Sequence, residues 1–525
     1  MVIRNKAVMA VLLLTAAATT AAAGTVKTPP GNAGDIVLEQ HVSGDSGEYD
    51  HVTITSAALA PCFDSLSDFL ETNLGLSDTV VDVADIYSTF PGRDNPEKIR
   101  NFIKHAYSFW STTHVLLGGD ADVIPYRQVW GKVISPAYAP SDQYYSGLEG
   151  DWDANHNDVF GEMADSVDVY PDVYLGRATV SDTTTAARFV RKFLTYSSDS
   201  TAAYLRNVAL TGFDLDGMTR GEATMEFYDS TYIPEEMKPC NKVYDSYTGS
   251  HYSAVLALLN AGQHFWVHID HGNKWQLGVG FFHHHAAFNC NTVRTLSNGD
   301  NLSILFSVAC RPGAFDTSDC IAEEFLSAPS GGGIAALVNS RAGWYDETTN
   351  PQRTLSNLVI EAFIAALFGH PEGTASLEDI TLAKATIAPL VDTSTAYRFV
   401  TFEMNLLGEP AMKVWTPVHE GIAETPRPAP VPVPLLTVES HFTSSARLRF
   451  DLPREGRVKL SVYNRGGRKV KNLAGSVMRA GHHEVIWDGC SDNGRKAPAG
   501  IYYVQLQTGD GRTTGKLVKL GKERP

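Results

Sequence analysis

Two short stretches carry side chains able to do nucleophilic chemistry: "SILFSVACRPGAFD" (303–316) and "QHFWVHIDHGN" (263–273). In the first, an apolar run delivers Cys310 just where Arg311-Pro312-Gly313 must break the strand, which exposes a thiol at the rim of a sheet. A thiolate there attacks a carbonyl when an imidazole is near enough to share its proton. In the second, His271 ends another apolar run and is followed by Gly272. Glycine lets a backbone N–H come close to a substrate oxygen, and the N–H groups of Gly272 and Cys310 are candidates to hold a developing oxyanion. His264 and His268 compete for the role of base. His268 lies three residues earlier, inside the strand and on its other face, so His271 ranks first.

The elements that must position this pair alternate. Strand-like runs at 51–56, 79–87, 113–120, 206–214, 263–273, 303–310 and 331–340 are separated by helical patterns such as 61–74, 95–110 and 253–262, with Ile99, Phe102, Ile103, Ala106 and Phe109 at helical spacing. The predicted fold is α/β, a mostly parallel sheet covered by helices on both faces. In such sheets functional groups collect at the carboxyl ends of strands, and two neighbouring parallel strands would place His271 and Cys310 on one rim.

At 525 residues the chain exceeds one core. Residues 1–23 have the layout of a signal peptide, with Arg4 and Lys6 ahead of an apolar stretch and Ala21–Ala23 behind it. Residues 24–48 read as a mobile or propeptide-like segment. The α/β region divides into an N-terminal subdomain, 49–200, and a catalytic subdomain, 201–417. A proline-rich linker follows at 418–436, and 437–525 has the short strands and turn signals of a small β-sandwich. These readings predict an exported protein without a transmembrane span in its mature chain. The net charge of −16 argues against nucleic acid, whose phosphates need clustered cations. Six scattered cysteines do not make a disulfide framework.

Two further stretches carry possible ligands. "DWDANHNDVFGE" (151–162) spaces Asp151, Asp153, Asn155, Asn157 and Glu162 in the rhythm of a calcium loop, with His156 where a glycine is usual. Structural calcium is expected there. "FFHHHAAF" holds His283, His284 and His285; adjacent histidines rarely converge on one metal, and the plainer reading is a loop near the dyad.

"HVLLGGDADVIPYR", "YPDVYLGRATVSD", "HIDHGN", "SVACRPGAFD" and "LLGEPAMKVW" occur in the order in which the gingipain family of cysteine peptidases carries similar segments. The resemblance spans roughly 50–417 and implies a caspase-haemoglobinase fold and endopeptidase activity on protein or peptide substrates. It implies a Cys310–His271 dyad working through a thioester acyl-enzyme. It places an acidic residue assisting His271 at Asp214, with Asp216 as the alternative. Trp344 and Tyr345 fall on the wall of the specificity pocket, and Glu222 and Glu226 are candidates for the acidic position that selects basic side chains. A catalytically inactive relative, acting as a surface adhesin or scaffold, is the alternative. "VIWDG", "DNG" and "PAGIYYVQL" resemble the immunoglobulin-like domain of flagellar hook-capping proteins. That likeness implies an exported bacterial protein whose tail engages export machinery or the cell surface.

Overall fold

The hydrophobic alternation of the strand-like runs becomes one ten-stranded sheet in the computed structural model. The structure describes Val2–Ile3, residues 48–167, 169–346, 355–369, 375–391 and 394–417, and most of 435–519. Ten strands are β1 (His51–Thr55), β2 (Asp78–Asp82), β3 (His114–Gly118), β4 (Tyr174–Ala178), β5 (Val208–Gly212), β6 (Asn241–Tyr244), β7 (Phe265–Ile269), β8 (Ser303–Ser307), β9 (Gly333–Asn339) and β10 (Met404–Leu407). They lie in the order β6-β5-β7-β8-β9-β10-β4-β3-β1-β2. All neighbours are parallel except β9 and β10, where Ala336 opposes Leu407 in an antiparallel pair.

Period-two alternation splits these strands between two cores. Leu210, Val267, Ile304, Phe306 and Leu337 enter one cluster, while Ala209, Trp266, Leu305, Ala336 and Val338 enter another. Because successive side chains point to opposite faces, both faces need cover. The helices Thr183–Ser198 and Ser356–Leu367 contribute Phe193 and Phe363 to the first cluster. The helices His251–Asn260 and Ile321–Ser327 contribute Val255 and Phe325 to the second. Each fully buried side chain of this size stabilises the fold by about 1.5–3 kcal/mol.

Several boundaries differ from the sequence reading. The run 79–87 is a strand followed directly by a helix, Val83–Thr89, because Asp82 caps the helix by accepting a hydrogen bond from the Ala84 N–H. β4, β6, β10 and the helices Gly221–Thr231, Ser356–Leu367, Asp379–Val391 and Thr395–Glu403 were not foreseen. No seam follows residue 200: strands from both sides of it share the one sheet through the β10–β4 pair.

The described residues form two compact units, dividing near residue 420. The smaller one packs a three-stranded sheet (Leu435–Val438, Ala446–Leu452, Gly481–Trp487) and a five-stranded sheet built mainly from Lys459–Asn464, Lys469–Ala474, Gly500–Gln507 and Arg512–Lys519. Trp487, Leu448, Val462, Val504 and Leu517 fill its core. The signal peptide expected at 1–23, apart from Val2–Ile3, the segment 24–47 and the linker over 418–434 lie outside the described residues.

Candidate active site

β5, β7 and β8 run parallel side by side, with Gly212 opposite Ile269 and His268 opposite Ser307. Their carboxyl ends therefore open onto one rim, and the functional side chains follow within three residues of the last strand pairs. From Ile269 the chain continues through Asp270 to His271. From Ser307 it continues through Val308 and Ala309 to Cys310.

The two segments touch. A Cβ added to Gly272 would lie 3.0 Å from the Ala309 Cβ and 3.6 Å from the Cys310 carbonyl oxygen, so only glycine lets the strand ends approach this closely. His271 and Cys310 both line one narrow cavity, together with Leu215, Asp270, Val308, Trp344 and Tyr345. A second, wider cavity of about 420 Å³ starts at His271 and Gly272 and runs past Phe281, Phe282 and His285.

Cys310 is held by backbone geometry. The buried Asn339 amide donates to the Val308 and Ala309 carbonyls, 3.1 Å each. The Ala309 N–H donates to Ser307 Oγ and the Arg311 N–H to the Arg341 carbonyl. Among the described residues the Cys310 N–H between them makes no such bond, leaving it available to an incoming oxygen. Arg311 takes φ +65°, a left-handed conformation uncommon for any residue other than glycine. Arg341 supports the turn, with its guanidinium donating to Asp316 at 2.8 and 2.5 Å.

The imidazole of His271 is oriented by a carbonyl. Nε2 stands 2.7 Å from the Leu215 oxygen. A carbonyl only accepts, so Nε2 carries the proton and Nδ1 holds the lone pair. This corrects the assignment of Asp214, and of Asp216, as the partner of the histidine. The Asp214 carboxylate is drawn to His283 Nε2 at 3.3 Å. Asp216 accepts from the Met218 and Thr219 N–H groups and from the Tyr345 hydroxyl, closing the 213–220 turn. The residue between them points its carbonyl at the ring, and no side-chain pattern announces a carbonyl.

Asp270 also escaped the sequence reading. It is buried on the cavity wall, accepts hydrogen bonds from the N–H groups of His271, Gly280 and Phe281, and burial pushes its carboxyl up to about 7. Its signal was its place in "HIDHGN", beside the base. The competing histidines are structural. His268 spans Ser307 Oγ and the Gly278 carbonyl, and His264 spans the Tyr196 hydroxyl and the Leu205 carbonyl. Burial pushes them down to about 4 and about 3.

Trp344 and Tyr345 do line the cavity, whereas Glu222 does not. Glu222 pairs with exposed Arg220 at 2.9 Å, and Glu226 with Lys242 and the Tyr244 hydroxyl. Helix Gly221–Thr231 carries both away from the cavity lining.

The loop expected to bind calcium is closed by its own groups. Arg93 donates to Asp153 Oδ2 at 2.5 Å, and the Asn155 and Asn157 amides donate to Glu162. Donors thus face the carboxylate that a cation would need. Among the described residues, Asp151, Asp153 and Glu162 do not gather within ligand distance of one another. The turn forms because His156 itself adopts φ +57°. All six cysteines are free thiols.

With this geometry in view, the comparisons are specific. The model of Peptidase family C25 matches residues 45–415. The chain belongs to that family. The FlgD Ig-like domain matches residues 437–512. The crystal structure of the Arg-specific cysteine proteinase gingipain R is 16% identical, with a TM-score of 0.55, covering 92% of this chain and 100% of that one. The complex of Porphyromonas gingivalis RgpB pro- and mature domains is 15% identical, with a TM-score of 0.51, covering 90% and 100%. No curated protein matches in sequence. The resemblance read from the motifs and the α/β fold with its immunoglobulin-like tail are both borne out. The C25 family is one of cysteine peptidases acting on protein substrates, and among the described residues no helix is long and apolar enough to cross a membrane.

Proposed function

We propose that the protein is an exported cysteine endopeptidase in which Cys310 is the nucleophile and His271 the general base and acid. The observation that carries this reading is the meeting of both side chains on one cavity at adjacent strand ends. Nδ1 of His271 takes the thiol proton, and the thiolate attacks the scissile carbonyl carbon. The carbonyl electrons move to the oxygen, which the N–H groups of Cys310 and Gly272 receive. Collapse breaks the C–N bond as the imidazolium returns its proton to the leaving amine, leaving a thioester. Water, deprotonated at Nδ1, then releases the acid and restores the thiol. Nε2–H stays on the Leu215 carbonyl throughout, which keeps the ring in one tautomer.

Leu215, Val308, Trp344 and Tyr345 line the cavity with Glu222 engaged elsewhere, and the one carboxyl on its wall, Asp270, is buried and already accepts three N–H bonds. These walls favour an uncharged side chain at the cleavage site over a basic one. The immunoglobulin-like unit serves export or surface attachment, a reading supported by its family match. Truncation before residue 437 is expected to leave hydrolysis intact and to lower the amount of protein outside the cell.

Alkylation with a peptidyl electrophile tests the central claim. Selective labelling of Cys310, lost in His271→Ala, is expected. A scaffold without activity would show no preference among the six thiols.

A further inference from the structure

We propose that Asp245, His251 and His284 form a binding site for one divalent transition-metal ion of the zinc class, beside the cavity of Cys310 and His271. The ligand atoms of these three residues lie within 4.8 Å of one another. The binding claim is independent of the peptidase reading; only its bearing on His271 rests on that reading.

Each member is delivered by a separate element. β6 ends at Tyr244 opposite Gly212 of β5, and the next residue is Asp245. Its side chain is 9% exposed. Oδ2 accepts the Asp214 N–H at 2.6 Å, while Oδ1 is buried and accepts no hydrogen bond. A buried carboxylate oxygen left without a donor is costly, and a missing cation is one physical reason for it.

His251 opens the helix His251–Asn260 and is 3% exposed. Its Nε2–H donates to the Tyr247 carbonyl at 3.1 Å. Metal-bound histidines commonly donate their second ring nitrogen to a backbone carbonyl in this way, which fixes the tautomer and turns the lone pair of the other nitrogen toward the ion. That other nitrogen, Nδ1, is kept accessible by Gly280: at φ +91° the chain passes so close that a Cβ would lie 2.4 Å from it.

His284 closes the set. Its Nε2 stands 3.6 Å from Asp245 Oδ1, too long for a good hydrogen bond. A tetrahedral ion with bonds near 2.0–2.1 Å holds its donors about 3.3 Å apart, so the observed spacing is close to that of two ligands. The His251 and His284 rings meet edge to face with centroids 4.5 Å apart. Two imidazole nitrogens and one carboxylate oxygen suit zinc and its neighbours better than calcium or magnesium, which prefer oxygen sets. A second triplet, Asp214, Asp245 and His283, shares Asp245 and lies on the more exposed side, where it can supply a fourth ligand.

The adjacent histidines of "FFHHHAAF" thus divide between two carboxylates, although their spacing alone argues against a metal. Through the Asp214 N–H and the Leu215 carbonyl, the same site borders the turn that orients His271.

Calorimetric titration of full-length Cys310→Ala protein with Zn²⁺ tests the inference without interference from the reactive thiol. One Zn²⁺ per chain is expected, with Co²⁺ giving the visible absorption of a tetrahedral nitrogen–oxygen set. Binding should weaken at least about tenfold in Asp245→Asn and in His284→Ala. His284 is half exposed, so its variant retains the fold even if Asp245→Asn does not. No Zn²⁺ binding, or equal affinity in His284→Ala and parent, overturns the site. Zinc binding in a protein without hydrolytic activity would sink the peptidase reading alone.

Discussion

Histidines and carboxylates meet in two halves of the same sheet with opposite outcomes. At the start of β1, His51 bridges Asp78 at 2.6 Å and Glu409 at 3.1 Å, and all three side chains are fully buried. Nearby, Arg177 is enclosed by Asp142 and the Gly119 and Ile124 carbonyls. At the opposite half, His271 has one carbonyl partner and one open nitrogen, Asp245 keeps an unbonded oxygen, and the buried Trp344 N–H has no acceptor. A spare acceptor alone does not separate the halves, since Glu409 Oε2 is also buried without a donor. What separates them is that the open groups of the second half converge on a cavity at the carboxyl ends of strands, where a ligand can reach them.

The comparison breaks first if the site half proves inert. Cys310→Ala is expected to cut peptide hydrolysis by at least about a thousandfold while leaving the unfolding temperature nearly unchanged. His271→Ala should do nearly the same. Residual activity near that of the parent in a peptide-library digest would remove the assigned chemistry.

The framework half should respond in stability. Burial by itself lowers the pKa of His51, but the neighbouring carboxylates of Glu409 and Asp78 raise it to about 10. An unfolded histidine titrates near 6.5, so the stabilising contribution is complete below that pH. It is lost progressively as pH rises from about 6.5 through about 10. His51→Gln is expected to destabilise by about 3–5 kcal/mol at neutral pH, because it strands two buried carboxylates. It should also flatten that alkaline slope in denaturant melts; an unchanged slope would assign the pH dependence elsewhere.

How much of this was legible in the sequence follows the same division. Cys310 and His271 could be read because apolar runs ending in a break mark strand ends, and a parallel sheet brings such ends together. Strand β10 and its antiparallel pairing could not, since "NLLG" is too short to carry a period and its place depends on three intervening helices. Asp214 was misassigned because motif spacing locates a turn to within a residue, whereas the bond to His271 is made by the Leu215 backbone. Glu222 lay at a plausible spacing, yet helix phase turned it toward Arg220. The calcium rhythm of 151–162 is carried by residue types, whereas the Arg93–Asp153 ion pair, made from a residue remote in sequence, could not be read from it.

Between the two halves lies Asn339, which belongs to the framework by burial and to the site by its contacts. Its amide holds the last two carbonyls before Cys310. Asn339→Leu removes both bonds, and a cost of about 1–3 kcal/mol in stability is expected. The telling readout is a fall in kcat larger than any change in KM, since a displaced thiol affects attack more than substrate binding. Equal loss in both would make Asn339 framework only.

Glu222→Gln gives the smallest effect and the sharpest check on the cavity assignment. Glu222 pairs with a guanidinium that is 59% exposed, so its removal should shift stability by no more than about 1 kcal/mol. With the carboxylate outside the cavity lining, kcat/KM on substrates with uncharged and basic cleavage-site residues should move together, if at all. A selective loss on arginine or lysine substrates would mean that helix Gly221–Thr231 reaches the bound peptide. The acidic selector inferred from family resemblance would then be restored, and the cavity of Leu215, Val308, Trp344 and Tyr345 would cease to define specificity.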